Sequence, residues 1–169
     1  ISCAPLVSTR TEQLLVVDIG GGSTELVWID LTSVPRRERP RAIMRLHAGF
    51  RQDAGPFPVA RVVDWISVPL GVATLRDQFQ DVDDDGARFA LMSWYFEENL
   101  AAFAPSAAAQ AKAGFQIVGT SGTVTTVAAS HLGLKRYDRA KVDGLRMTTE
   151  QIDAVIRDYL ALGPEGRRN

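Results

Sequence analysis

Short apolar runs separated by polar turns predict several strands in the first part of the chain and one more near residue 115. The runs lie at 14–18, 24–29, 65–68 and 115–118, and each is short and rich in β-branched side chains, which favours buried strands. A further strand is predicted at 42–46. The first two runs are joined too closely for a crossover, so they predict an antiparallel pair.

Apolar side chains spaced by three and four residues predict helices between and after these strands. The longest such pattern covers 86–103, and another begins near Ile152 behind a capping-box pair, Thr148 and Gln151, and ends at Gly163. Two shorter helices are predicted at 70–79 and 124–132. Together the elements predict an α/β domain in which helices flank a mixed sheet.

Composition fits one ordinary globular domain spanning residues 1–169. Hydrophobic residues make up 46% of the chain, charged residues 23%, and the net charge is -1. This balance gives no support to a nucleic-acid or membrane partner. Cys3 is the only cysteine, which suits a reducing cytoplasm. Because the chain opens Ile-Ser-Cys, we expect it to be a fragment of a longer protein.

Residues 33–61 differ from the rest of the chain because they are rich in Arg, Pro and Gly. We predict an exposed insertion here. Its arginines either form a solvated surface or attract a polyanionic substrate, and both interpretations stay open.

The segment from Asp18 to Glu25 reads Asp-Ile-Gly-Gly-Gly-Ser-Thr-Glu and follows a predicted strand. It is not a dinucleotide fingerprint, since Glu25 stands at the third glycine position and a strand follows instead of a helix. We predict a hairpin turn in which Gly20, Gly21 and Gly22 adopt positive φ values and aim their amides at an anion. Ser23 can donate its hydroxyl to a phosphoryl oxygen. The carboxylates of Asp18 and Glu25 can hold a metal or orient water.

A second turn of similar chemistry is predicted between the strand at 115–118 and the helix that follows. Amides and hydroxyls there would lie at a helix N-terminus, which favours anions, although a plain helix cap explains the same residues. Two such turns predict two walls of one phosphate cleft. The residues of the second wall are Gly119, Thr120, Ser121 and Gly122.

Four segments resemble successive motifs of the exopolyphosphatase / guanosine pentaphosphatase (Ppx/GppA) family, in the family's order and over most of the chain. They are DIGGGSTEL at 18–26, SVPLGVATL at 67–75, GTSGTVTTVA at 119–128 and Tyr137-Asp138-Arg139. The resemblance implies a ribonuclease-H-like domain of the actin-like superfold, specifically the second of two facing domains.

The resemblance also implies an activity, in which water attacks a terminal phosphoryl group between the two domains with Mg²⁺ as cofactor. It assigns phosphate binding to the two glycine-containing turns and a metal- or water-orienting role to Asp18 and Glu25. The family's catalytic glutamate belongs to the preceding domain, so we expect this chain alone to be inactive.

Several alternatives remain open at this point. The resemblance allows polyphosphate or guanosine pentaphosphate as the substrate. The expected partner is the preceding domain of the same protein, and the parent protein can also form a homodimer, as such phosphatases do. An ATP-binding kinase or ATPase of the same superfold, or a non-catalytic phosphate-binding module, also accounts for the two turns.

Overall fold

The computed structural model describes residues 3–47, 59–103 and 114–166, without the side chains of His47 and Pro164. The chain divides into two compact units. The first comprises Ile1–Asp18, Thr24–Val68 and Ala101–Thr120. The second comprises Ile19–Ser23, Pro69–Leu100 and Ser121–Asn169.

A four-stranded sheet forms the first unit. Its strands are β1 (Gln13–Ile19), β2 (Thr24–Asp30), β3 (Arg61–Val68) and β4 (Phe115–Thr120), in the order β3-β2-β1-β4. β1 and β4 run parallel, whereas β2 and β3 run antiparallel with an irregularity between Trp28 and Ile29. The predicted mixed sheet is therefore confirmed, and β3 extends four residues further toward the N-terminus than its apolar run indicated.

One face of this sheet is covered at one end by α1 (Arg39–His47) and by the N-terminal segment. Alternate residues of the strands point to this face, so Leu14 is fully buried beneath the cover. The buried cluster formed there consists of Cys3, Ala4, Val7, Leu14, Ile29, Leu31, Val34, Ala42, Ile43, Ala60 and Val118. This packing stabilises one end of the face, and the polar residues at the strand termini lie at the other end.

The prediction of a strand at 42–46 within an exposed insertion at 33–61 is wrong for the described residues. Residues 39–47 form a helix whose inner face is buried, with Ile43 at 0% and Arg39 at 4% exposure. Arg39 donates from Nε to the Val34 carbonyl at 3.1 Å and from Nη1 to the Thr9 carbonyl at 3.3 Å. Because Arg39 occupies a buried position of α1, the apolar residues alone did not show the helical spacing of three and four. Residues 48–58 lie outside the described part.

The second unit contains five further helices among the described residues. They are α2 (Val72–Gln78), α3 (Asp85–Leu100), α4 (Ser121–His131), α5 (Arg139–Val142) and α6 (Thr149–Gly166). α6 packs against α3 and α4. Its predicted capping box is confirmed, since the Thr148 N–H donates to Gln151 Oε1 at 2.8 Å and the Gln151 N–H to Thr148 Oγ1 at 3.3 Å. Gly163, with φ 64° and ψ -179°, interrupts α6 where its end was predicted.

Within the described residues, no helix combines the length and the apolar composition that crossing a membrane requires.

Candidate functional site

In the first unit, strand pairing places Asp18 beside Thr120. The two residues are register partners at the ends of the parallel strands β1 and β4. Parallel strands end at the same edge of a sheet. The strand before the first predicted turn and the strand before the second therefore end side by side. This edge is the carboxyl end of both strands, where ligands of open α/β sheets commonly bind.

A cavity of about 290 Å³ opens on the same face of the sheet in the first unit. The polar residues that line it are Asp18, Glu25 and Thr120. Its apolar lining consists of Cys3, Val16, Val27 and Ile29. Residues two positions apart in a strand lie on the same face of a sheet. Asp18 therefore lies on the face of Val16 in β1, and Glu25 lies on the face of Val27 in β2. Two acidic residues and a threonine thus border one small space.

Ser67 holds the Glu25 carboxylate. The two residues are register partners on β3 and β2, and Ser67 Oγ lies 3.1 Å from Glu25 Oε1, at hydrogen-bond distance. The hydroxyl can donate to one carboxylate oxygen and leave the other available to a ligand. Ser67 was not among the predicted site residues, although it opens the SVPLGVATL motif.

Cys3 contributes an apolar wall to the cavity. Its side chain is buried, and this burial raises the pKa of the Cys3 thiol above its ordinary value despite opposing backbone contacts. The group therefore remains a neutral thiol at physiological pH, and it packs beside the carboxylates without adding charge.

In the second unit, the first N–H groups of α2 donate hydrogen bonds to carbonyls of the glycine turn. The Val72 N–H donates to the Gly20 carbonyl at 3.1 Å and the Ala73 N–H to the Gly21 carbonyl at 2.8 Å. Across a trans peptide, the C=O and the following N–H point in opposite directions. The N–H groups of Gly21 and Gly22 consequently point away from α2, and neither has an acceptor among the described residues.

The glycines of the turn do not have the positive φ values predicted for them. Among the described glycines, positive φ occurs only at Gly114, Gly133, Gly144 and Gly163. A methyl group at Gly21 or Gly22 would meet no atom within 4 Å. The backbone therefore does not require glycine at these positions, and what glycine supplies is open space directly beside two free N–H groups.

Gly71 is the position where the turn does require glycine. A Cβ there would lie 2.5 Å from the Gly20 carbonyl oxygen and 2.6 Å from that of Gly21, closer than any such contact can be. The φ of Gly71 is -139°, so the requirement is one of space between backbones and not of conformation. Thr74 Oγ1 accepts from the Gly71 N–H at 2.7 Å and fixes it further. The Leu-Gly pair of the SVPLGVATL motif was the available signal.

The second predicted turn, Gly119 to Thr123, is not a separate turn. β4 continues to Thr120 and α4 begins at Ser121, so the change of direction falls on Ser121, whose φ is 72°. Ser121 and Gly122 are exposed, and the first N–H groups of α4 have no acceptor within the helix. Such N–H groups favour an anion, and the anion-binding role expected of these residues stays a prediction.

The acids of the cavity suit Mg²⁺. This ion is commonly held by one or two carboxylates and keeps several waters or substrate phosphates as its other ligands. Asp18 and Glu25 provide two carboxylates on one cavity, and no group of three or more His, Cys, Asp and Glu side chains with metal-binding geometry occurs in the described ranges. The donor set fits magnesium shared with a phosphate better than a cage made by protein alone.

The mixed sheet and its flanking helices, with polar groups at the carboxyl ends of β1 and β4, define a domain of the actin-like, ribonuclease-H-like class. The model of the Ppx/GppA phosphatase family matches residues 3–167. The chain therefore belongs to the Ppx/GppA phosphatase family.

Solved structures of such proteins resemble the chain. An exopolyphosphatase-like protein is 30% identical to this chain with a TM-score of 0.65, and the alignment covers 92% of this chain and 41% of the other protein. A PPX-GPPA enzyme of Aquifex aeolicus is 24% identical with a TM-score of 0.63, covering 94% and 42%. An exopolyphosphatase of Cytophaga hutchinsonii is 21% identical with a TM-score of 0.54, covering 96% and 48%.

The last two, below 25% identity, support the fold alone. The chain spans less than half the length of each of these three proteins. No curated protein matches the chain significantly.

Proposed function

We propose that the chain supplies the phosphate-binding half of a phosphohydrolase that releases the terminal phosphate of inorganic polyphosphate or guanosine pentaphosphate. The observation that carries the proposal is that Asp18, Glu25 and Thr120 border the same cavity in the first unit. Membership of the Ppx/GppA phosphatase family supports it. The names of the similar solved proteins favour the same class of substrate.

The amides assigned to phosphate binding come from the second unit. The N–H groups of Gly21 and Gly22 would donate to phosphoryl oxygens, and so would the Ser23 hydroxyl and the first amides of α4 at Ser121 and Gly122. Donors that are already oriented stabilise the charge of the transition state without reorganising. The hydrogen bonds from α2 to the turn's carbonyls provide that orientation. They also polarise the same peptide groups, which strengthens the N–H donors.

Glu25 would orient the attacking water. Its carboxylate is within hydrogen-bond distance of Ser67, so one oxygen is held while the other can accept a hydrogen bond from the attacking water and orient it. Asp18 and Glu25 would hold Mg²⁺, which when bound supplies positive charge for the phosphoryl oxygens. Thr120, the register partner of Asp18, would add a hydroxyl donor at the cavity edge.

The chain by itself would bind phosphate without turning it over. The family resemblance places the catalytic glutamate in a preceding domain, and the similar solved structures are more than twice as long as the part that this chain matches. Binding and turnover are therefore separable experiments for this protein.

The test of turnover uses a protein in which this chain follows its preceding domain. Orthophosphate release from polyphosphate and from guanosine pentaphosphate is measured with and without Mg²⁺. Glu25→Gln should lower kcat by on the order of a hundred-fold or more, the usual contribution of a positioned acid or base. Glu98→Gln, an exposed acid on α3, is the matched control and should leave kcat unchanged. Absence of release from both substrates by a folded protein would rule the proposal out.

The test of binding uses the 169-residue chain. Pyrophosphate is titrated while the amide signals of Gly21 and Gly22 are followed by NMR. Shifts at these two amides are expected, with no orthophosphate produced. Turnover by this chain alone would contradict the division of labour between the two domains.

A further inference from the structure

Four arginines form the outer surface of the segment that ends in α1. Arg36, Arg37, Arg41 and Arg45 are exposed, and we call these four residues the arginine face. Arg45 Nη1 lies 3.9 Å from Glu38 Oε2 with both side chains largely in solvent, so this ion pair contributes little. Within the described ranges the other three arginines make no ion pair. The local charge is strongly positive although the chain carries a net charge of -1.

The arginine face is held in place from beneath. Arg39 and Ile43 point inward from the same helix, and both are buried. Ile43 belongs to the buried cluster that also contains Cys3 and Ile29, two residues that line the cavity. Helix, cluster and cavity all lie in the first unit, so the guanidinium groups are displayed from a packed element at a fixed position relative to the cavity.

We propose that the arginine face is a second anion-binding site, which takes the body of a linear inorganic polyphosphate whose end occupies the cavity. This inference rests on the proposed function and selects polyphosphate as the substrate that uses the whole surface. A cavity of about 290 Å³ has room only for the end of a long polyphosphate. Guanidinium groups bind phosphate oxygens in pairs of parallel hydrogen bonds, which suits a repeating chain of phosphates.

The side chains on this surface favour an inorganic chain over a nucleic acid. Among the side chains of α1 that the structure describes, the exposed ones are Arg41, Met44 and Arg45, and none is aromatic. Single-stranded nucleic acids are held by stacking of bases on aromatic side chains as well as by charge. The arginine face offers the charge without the stacking surface.

The experiment compares two four-fold variants of the 169-residue chain. In one, Arg36, Arg37, Arg41 and Arg45 are changed to Gln. In the control, four exposed cations of the second unit are changed to Gln, which removes the same charge elsewhere. The control residues are Lys135, Arg136, Arg146 and Arg157. Dissociation constants are measured for long-chain polyphosphate and for tripolyphosphate across a salt series.

We expect the arginine-face variant to lose about ten-fold or more in affinity for the long chain, and the logarithmic salt slope to fall by roughly 3, since each phosphate contact contributes about 0.7. Tripolyphosphate binding should change little in either variant. A third protein with the four arginines changed to Lys keeps the charge and should recover part of the long-chain affinity, which separates loss of binding from loss of folding.

Several results would overturn the inference. Equal losses in the variant and its control would show that only total charge matters. An equal loss for tripolyphosphate would assign the arginines to the cavity site itself. Competition by single-stranded RNA as strong as by polyphosphate would show a site for any polyanion. If the unchanged chain bound tripolyphosphate and long chains equally, this inference alone would fail, whereas binding of neither would remove the proposed function with it.

Discussion

The two segments expected to bind phosphate acquire their shapes in different ways. The turn at 20–23 contains three glycines, none with positive φ, and its carbonyls accept hydrogen bonds from the first amides of α2. At the junction between β4 and α4, pairing with β1 reaches Thr120, and no hydrogen bond from another element to Ser121 or Gly122 is among the described contacts. Its direction changes at Ser121, a residue with a side chain and a φ of 72°. The glycine turn is positioned by hydrogen bonds from another element, whereas the β4–α4 junction contains a residue with a strained backbone conformation.

This difference shows that glycine content does not mark where the backbone is constrained. In the first segment the required glycine is Gly71, which is distant in sequence, while Gly21 and Gly22 leave room for a ligand. In the second segment the constrained residue is a serine. Left-handed backbone at a residue with a Cβ costs about 1–2 kcal/mol, and such strain is concentrated at functional sites. Adding a Cβ should therefore be tolerated at Gly22, whereas removing the Cβ should stabilise the backbone at Ser121.

The largest effect is expected from Gly71→Ala. The added methyl would lie 2.5 Å from backbone atoms of the turn, so the turn or α2 must move. We expect a stability loss of about 1–3 kcal/mol, as for overpacking elsewhere, and loss of the pyrophosphate-induced shifts at Gly21 and Gly22. Thermal unfolding and the NMR titration measure the two effects. The control is Gly86→Ala in α3, where the methyl would meet only Asp84 Oδ1, at 3.4 Å.

Gly22→Ala should separate binding from stability. The turn has room for the methyl and the φ of Gly22 is not positive, so stability should stay equal or rise by about 0.4–1 kcal/mol. The methyl would occupy the space beside the free N–H, and pyrophosphate affinity should fall by about ten-fold, equivalent to about 1.4 kcal/mol. Calorimetric titration and chemical unfolding test this. Unchanged affinity would mean that the anion does not approach this amide.

Val72→Pro should have a smaller effect and test the support from α2 directly. Val72 is the first residue of α2, where proline is well tolerated, but proline lacks the N–H that donates to the Gly20 carbonyl. Losing one such hydrogen bond costs about 0.5–1.5 kcal/mol, and we expect pyrophosphate affinity to fall several-fold. Val72→Ala keeps the N–H and trims a side chain that is 55% exposed, so its affinity should match the original. Equal affinities in all three proteins would show that α2 does not orient the turn.

Much of the fold could be predicted from the sequence because its signals are local. Strand β1 and the helix before Gly163 follow from short-range patterns of apolar and capping residues. The helix at 39–47 could not be predicted in this way, since Arg39 interrupts its apolar face. The burial of this arginine depends on carbonyl partners and the Glu12 carboxylate elsewhere in the chain. The same holds for the site. Asp18 and Glu25 stand in a recognisable motif, whereas the roles of Gly71 and Ser67 depend on contacts between distant segments.

The smallest effect, and the sharpest contrast with the glycine turn, is expected at Ser121. Ser121→Gly should stabilise the protein by about 1 kcal/mol, because glycine adopts a φ of 72° without the cost that a Cβ imposes. Ser121→Ala retains the Cβ and should leave stability nearly unchanged. Both variants lack the hydroxyl, so if it binds phosphate, both should lose the same two- to three-fold in pyrophosphate affinity, about 0.5 kcal/mol. Chemical unfolding and calorimetric titration of the pair measure strain and hydroxyl separately. Lower stability in the glycine variant would show that the serine side chain supports this junction, and the two segments would then differ less than their backbones indicate.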